Sequence, residues 1–491
     1  MKSAAGVFIQ PVHDAASAAL PQWARIAHAV RHAAASGAVL RGERLPSARQ
    51  LAQDWRVSRG AVEDAFAELQ LEGLIERRVG DGTYLSGAIA PAPAPQPQRQ
   101  AAPEARRILR HSLAGCASAQ RDSACRLQFV PPLHPRRTDL DEFPLETWRR
   151  LLLQAHEAPQ HALLEGAPCG GLPALRQAIA HHLAVHRGLA CTAAQVLVIN
   201  GPGEGMQLVG RLLLQPGDTM WMENPSHASL PWLMQSMGIR VCGVPLDASG
   251  LDVAAARRLA PAARAGYLHP LTQYPLGVRT TPARGTELLA WAAQRGAWIV
   301  EANMNDEMVP PAQQPPTLFS RDTQGRTLLL GTFEGVAFPS LRVGYLVLPP
   351  ALAAGFIGAA QVYGEHVPAP VQWALAEFID GGHMTAHLQA QRKRNARKRE
   401  LVRRCLLPAL PATVRAGPMD SGLHLCLHLP PTMKDTVVTE RLRAQHVFVE
   451  CLSQLAWQDP GLNGIVLGYG GLPQAALEQG LRTVARVLAA A

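Results

Sequence analysis

Four lysines, Lys2, Lys393, Lys398 and Lys434, are all that this 491-residue chain contains. Chemistry that needs an amine nucleophile, such as Schiff-base formation, therefore has no lysine to work with between residues 3 and 392. The eight cysteines never form a CxxC pair and show no zinc-ligand spacing, so they read as reduced, packed thiols. The histidines are scattered without ligand spacing, and no metal is expected. What remains is guanidinium chemistry. The net charge is +9, the pI is near 9.4 and the positive charge is nearly all arginine, a balance that favours polyanionic partners. Arg49, Arg59 and Arg78 stand out, because each sits next to a helix-capping serine or a glycine turn.

The elements that would position those arginines can be read from periodicity. A first helix is predicted over Leu20–Ala34, with Trp23, Ile26, Ala27 and Val30 on one face. Ser47 is placed to cap a second helix whose inner face is Ala48, Leu51, Ala52 and Trp55, and Ser58 to cap a third whose Val62, Ala65, Phe66 and Leu69 point inward. Gly73 closes the third helix, and Gly80-Asp81-Gly82 predicts a hairpin turn. Three short helices and a hairpin make a winged helix-turn-helix over residues 15–87, with the third helix in the major groove of a double-stranded DNA operator. Ser47, Arg49, Ser58, Arg59, Gly60, Val62, Arg78 and Gly82 are the residues expected at that DNA. Glu63 lies on the same helix, and pairing with Arg59 is expected to hold it away from phosphate.

Residues 88–128 read as a linker. The run Ala90-Pro-Ala-Pro-Ala-Pro can continue neither a helix nor a sheet ladder. From 129 to 491 short apolar strands alternate with amphipathic helices, which predicts a largely parallel α/β sheet, followed from about residue 370 by a smaller C-terminal α+β subdomain. No apolar run approaches the roughly 20 residues of a membrane span, and the first residues lack a secretory pattern, so a cytoplasmic protein is expected.

The string Leu45-Pro-Ser-Ala-Arg-Gln-Leu-Ala52, with Val57-Ser-Arg59, Glu72-Gly-Leu-Ile75 and Gly80-Asp-Gly-Thr83, resembles the GntR family of transcription regulators across the whole head. The large unit is similar to the aminotransferase-like domain of the MocR subgroup, a fold type I pyridoxal-phosphate transferase fold. The matching strings include Gly170-Gly-Leu-Pro-Ala-Leu-Arg176, Gln273-Tyr-Pro-Leu-Gly277 and Phe338-Pro-Ser-Leu-Arg-Val-Gly-Tyr345. The resemblance implies a homodimer, a pyridoxal-phosphate site and a lysine after Gly331-Thr-Phe333.

At that lysine position stands Gly335, and Glu334 replaces a small hydroxyl residue. The acid that would face the pyridine nitrogen maps to Ala302, the phenol to Met304 and the ring-stacking tyrosine to His227. In the phosphate cup, Asn200-Gly-Pro-Gly-Glu204 loses a backbone donor at Pro202 and gains a carboxylate at Glu204. No catalysis, no Schiff base and no cofactor is expected, and a buried Arg342–Glu334 pair is expected in place of the phosphate. Two readings of the pocket stay open. One is a scaffold for dimerisation. The other is a non-covalent site for an unknown small-molecule effector, lined by His227, Gln273, Asn303, Asn305, Glu334 and Arg342. The alternative for the whole domain is residual pyridoxal-phosphate binding. The basic run Gln391–Arg399 reads as a solvated helix face, with a contribution to DNA binding as its alternative.

Overall fold

A computed structural model describes residues 21–35, 38–40, 42–78, 80–86, 132–135, 139–157, 162–227, 229–363, 366–420, 422–458 and 461–490. The linker 88–128, Lys2, Cys116, Cys125 and the ends of the expected domains at 15–20, 87 and 129–131 lie outside them. The chain divides into two units at residues 109 and 110.

The first unit is small and its core follows the sequence period. Helix α1 (Gln22–Ala35) buries Ile26, Ala27, Val30 and Ala33, while Trp23 is partly exposed. Helix α2 (Ala48–Trp55) opens where the Ser47 hydroxyl accepts the Gln50 amide at 3.2 Å. It ends at Arg56, whose φ of 53° turns the chain sharply toward α3. Helix α3 (Arg59–Leu71) is capped in the same way by Ser58, which accepts from Ala61 at 3.1 Å, and it buries Val62, Ala65, Phe66 and Leu69. Gly73 follows at φ 70°. Strands β1 (Ile75–Arg78) and β2 (Gly82–Leu85) form the antiparallel wing. A third segment lies along β2: Arg44 bridges to Tyr84, and the Leu45 amide donates to the Thr83 carbonyl at 2.8 Å.

The second unit is built on a seven-stranded sheet ordered β3 (Val196–Ile199), β11 (Gly344–Val347), β10 (Thr327–Thr332), β9 (Trp298–Asn303), β8 (Ala265–Leu268), β4 (Thr219–Glu223) and β5 (Arg240–Val244). β11 alone runs against the rest. A two-residue hairpin, β6 (Leu246–Asp247) with β7 (Gly250–Leu251), stands apart from it. Both faces of the sheet are covered, so alternation separates two cores rather than core from water. Val196, Val198, Leu329, Tyr345 and Val347 pack toward helices Pro173–Arg187 and Ala369–Asp380. Leu197, Ile199, Leu328, Leu330 and Leu346 pack toward helices Gly201–Leu213 and Pro350–Tyr363. Strand β11 begins only at Gly344, because Arg342 sits at φ 52° after a 3₁₀ turn.

The C-terminal sheet has the order β12 (Arg415–Ala416), β13 (His424–His428), β15 (Gly464–Gly468), β14 (Glu450–Cys451), all antiparallel. Its boundary differs from the expected 370. Helix Ala369–Asp380 belongs to the large core, and helix His383–Cys405 spans both, with Met384 and Leu388 in the large core and Leu401 and Val402 in the small one. Leu133 also joins the small core, where its carbonyl accepts the Gly468 amide at 2.7 Å. A subdomain assembled from both ends of a unit leaves no single composition shift in the sequence.

Candidate functional site

The wing alternates like any strand pair. Ile75, Arg77, Thr83 and Leu85 share the inner face, while Glu76, Arg78 and Tyr84 share the outer one. Arg78 lies 4.5 Å from the Tyr84 ring centre, and its Nε is 3.4 Å from Glu76. Arg44 belongs to this outer face. A methyl group on Gly82, whose φ is 133°, would lie 2.7 Å from Arg44 Nε. Gly82 is thus small because a guanidinium passes over it, a reason the sequence did not reveal, and Arg44 itself went unpredicted because no helical or strand period marks it.

Ser47, Arg49, Ser58, Arg59 and Gly60 are exposed at the N-termini of α2 and α3, as a groove-reading surface requires. Both serine hydroxyls are already spent on caps, which orients the helix ends. Val62 is the exception. It is fully buried in the head core and cannot reach a base. Glu63 does not pair with Arg59. Its Oε2 is 3.0 Å from Arg77 Nη2 on the wing's inner face, and the same guanidinium lies over Phe66. Position 77 is one strand residue from the outward-facing Arg78, and alternation alone turns it toward α3.

In the second unit the candidate pocket lies where β9 and β10 end and helix Gly201–Leu213 begins. Glu301 at the middle of β9 is buried and its carboxyl is pushed up to about 7 by burial, although it accepts the Phe319 amide at 2.9 Å. Beyond it the turn Asn305–Met308 is moored by a buried ion network. Asp306 Oδ2 is 3.1 Å from Arg187 Nη2, Thr272 donates to Asp306 Oδ1 at 2.8 Å, and Glu307 faces His182 at 3.5 Å. Burial alone would push Glu307 up, but the hydrogen bond and charge of His182 pull it below the usual carboxylate range. The turn aims Asn305 at Gly335. A Cβ at 335 would overlap Asn305 Oδ1 and lie 2.9 Å from the Met304 carbonyl oxygen.

The same filling from within holds at the helix N-terminus. Gly201 (φ 78°) has no room for a Cβ, which would come within 2.6 Å of Glu334 Oε1 and 3.4 Å of the Arg342 guanidinium. Glu204, in the first helical turn, folds back so that its carboxylate accepts the Asn200 amide. The expected Arg342–Glu334 contact is present at 3.6 Å, but Arg342 is 57% exposed against 21% for Glu334, so the pair is open to solvent on its arginine side rather than buried. Of the other candidate pocket residues, Gln273 and Asn303 are fully buried and occupied. The Gln273 amide donates to the carbonyls of Pro225 and Tyr274 and accepts the Leu276 amide. Asn303 donates to Tyr345 OH at 3.2 Å and accepts the Asp306 amide. Neither is open to a ligand. His227 and Asn305 are half-buried, and the His227 ring is 6.4 Å from that of Tyr274. Ala302 is fully buried in the apolar core.

Residues 22–85 match the gntR family of bacterial regulatory proteins, and residues 137–461, more than half of the chain, match aminotransferase class I and II. The probable rhizopine catabolism regulatory protein MocR of Rhizobium meliloti is 30% identical over 90% of this chain and 88% of its own length. This chain belongs to the MocR-type GntR regulators. The pyridoxine biosynthesis transcriptional regulator PdxR of Corynebacterium glutamicum is 31% identical over 90% of each chain, and TauR of Rhodobacter capsulatus is 28% identical over 94% of this chain and 96% of its own. Among solved structures, a Pyrococcus horikoshii kynurenine aminotransferase superposes with a TM-score of 0.68 at 20% identity, covering 81% of this chain and 96% of its own. An archaeal alanine:glyoxylate aminotransferase reaches 0.70 at 20% identity, over 77% and 95%. These two show the fold of the second unit. The MocR-type chain is therefore a DNA-binding transcription regulator carrying an aminotransferase-like domain.

The regulator's basic helix, His383–Cys405, is less free than its sequence suggests. Arg392 donates to the Glu307 carbonyl at 2.7 Å, Arg394 lies against Asp139 and Glu142, and Lys398 reaches Asp139 at 2.9 Å. These cations tie the helix to its own unit. Among the described residues no helix is long and apolar enough to cross a membrane, and no group of histidine, cysteine or acidic residues could hold a metal ion.

Proposed function

We propose that this regulator's aminotransferase-like domain is not an enzyme and holds no pyridoxal phosphate, and that it serves as the dimerisation and non-covalent sensing unit for the DNA-binding head. The observation that carries this reading is the packing of Asn305 against Gly335. The space a lysine side chain would need to leave position 335 is taken by Asn305 Oδ1 and the Met304 carbonyl. Two further features support it. The helix N-terminus that would receive a phosphate already faces the carboxylates of Glu334 and Glu204, which repel a dianion. The position expected to protonate the ring is Ala302, within the apolar core. The curated relatives are named as regulators, which agrees with a role outside catalysis.

A two-fold dimer would present two heads to a pair of half-sites. Phosphate contacts from Arg49, Arg59 and Arg78 would make binding weaken steeply with salt. The test is reconstitution. Full-length protein is incubated with pyridoxal phosphate, reduced with borohydride and examined by absorbance and peptide mass. No lysine adduct is expected. A stoichiometric adduct at any lysine would overturn the reading and favour residual cofactor binding.

A further inference from the structure

Away from the filled pocket, three arginines meet around one loop. Arg399 and Arg403 lie four residues apart on helix His383–Cys405, so the helix puts them on one face, where like charges repel. Arg279 reaches the same place from the segment after the Gln273–Gly277 loop. Its Nη2 donates to the Asp420 carbonyl oxygen, while Arg403 Nη2 is 3.2 Å from Asp420 Oδ1. Arg399 hydrogen-bonds Tyr469, whose own hydroxyl donates to the Gly422 carbonyl at 3.1 Å. Arg279 and Arg399 repel each other. Asp420 is the nearby carboxylate bonded to the cluster, since Asp306 is already paired with Arg187. Of the three guanidiniums that carboxylate bonds Arg403 alone, while Arg279 takes the Asp420 backbone carbonyl and Arg399 the Tyr469 hydroxyl, and burial weighs against the charge of Arg279. The Nε atoms of Arg279 and Arg399 are buried and have no acceptor among the described residues. A buried charged donor left unmatched is costly, and two in one cluster point to an acceptor that lies outside the described residues.

We infer that Arg279, Arg399 and Arg403 form a binding site for a small oxyanion, a carboxylate or phosphate group of the regulator's effector. The inference rests on the reading that this domain senses a non-covalent ligand. Planar forks suit such groups, because each can give two parallel N–H donors to two oxygens.

The test uses the full-length protein, with inorganic phosphate and citrate as probes and ionic strength held constant with sodium chloride. Melting temperature and calorimetry are read for wild type, Arg399→Gln, Arg403→Gln and a head control, Arg49→Ala/Arg59→Ala. Wild type and head control should show a saturable rise with at least one probe. Arg399→Gln should weaken the apparent Kd about tenfold or more, because a charge-assisted hydrogen bond is lost. Arg403→Gln, on the exposed side, should act in the same direction and guards against a folding defect in the first variant. A response to phosphate alone assigns a phosphate ester, and one to citrate alone assigns a carboxylate. The inference fails if neither probe gives a saturable rise in wild type. It also fails if the rise vanishes in the head control, or if it survives Arg399→Gln and Arg403→Gln with an unchanged Kd. A lysine–pyridoxal adduct would end the reading above but would leave these titrations to stand or fall by themselves.

Discussion

Replacing Gly335 with alanine tests the filled pocket with one methyl group. Gly335 is not at a positive φ, so backbone strain does not require glycine here, and the reason is space. The new Cβ would overlap Asn305 Oδ1 and meet Asn305 Cγ and the Met304 carbonyl oxygen, each at 2.9 Å. The Asn305 side chain can rotate toward solvent, because it is half-buried. The Met304 carbonyl cannot, because the turn behind it is moored by Asp306–Arg187 and Glu307–His182. Overpacking against fixed atoms costs about 1–3 kcal/mol. The measurement is the urea midpoint at unchanged m-value, with loss of native near-ultraviolet signal as a second probe. Asn305→Ala should recover only the part of the loss that comes from the Oδ1 overlap in the double variant, while the clash with the Met304 carbonyl remains. Two results would refute the reasoning: Gly335→Ala within about 0.5 kcal/mol of wild type, or a loss that Asn305→Ala fails to reduce. By the same argument Gly335→Lys alone should not form an aldimine with added pyridoxal phosphate.

Glu63→Ala should strengthen binding to a random-sequence DNA duplex by up to about fivefold, since a carboxylate near phosphate is removed and the exposed Arg77 pair it breaks is worth about 1 kcal/mol or less; weaker binding in a fluorescence titration would refute this. Ser58→Ala should destabilise the head by about 0.5–2 kcal/mol through loss of the Ala61 cap, read as an earlier head transition on denaturation, and an unchanged midpoint would argue against it. Glu301 supplies a pH test. Burial lifts its carboxyl from 4.5 to about 7, so between those values the native state keeps a proton that the unfolded chain has released. Its contribution is complete below about pH 4.5 and is lost as pH rises toward 7, with a slope of up to about 1.4 kcal/mol per pH unit. Glu301→Gln should flatten stability against pH across that window, and an unchanged slope would show that Glu301 is ionised throughout.

The head was legible residue by residue because its determinants are local. A capping serine, a 3.6-residue apolar stripe and a glycine turn each act within one turn of chain, and Ser47, Ser58 and Gly73 stand where those rules put them. The same local rules could not tell Val62 from a groove-facing residue. Its neighbours Arg59, Gly60 and Glu63 share its helical turn, and only packing against α1 fixes which way that turn faces. The partner of Glu63 was likewise a tertiary matter, since Arg77 arrives from a strand whose alternation had to be set by the wing's register.

In the second unit the strand–helix order, and so the fold, follows from alternation of apolar runs, because a sheet buried on both faces needs them. The absence of a lysine from 3 to 392 is likewise a property of sequence alone. What fills the pocket is not. Asn305 meets Gly335 across 30 residues, Glu334 meets Gly201 from another strand's end, and Arg279 meets Arg399 and Arg403 from a distant loop. Each of these contacts depends on where β9, β10 and helix His383–Cys405 end in space. Sequence spacing carries no record of that, since the strand order β10-β9-β8-β4 is assembled by crossovers. Composition therefore determined where this regulator lacks an amine nucleophile, and tertiary structure decided which of its own side chains occupy the space and which charges are left facing one another.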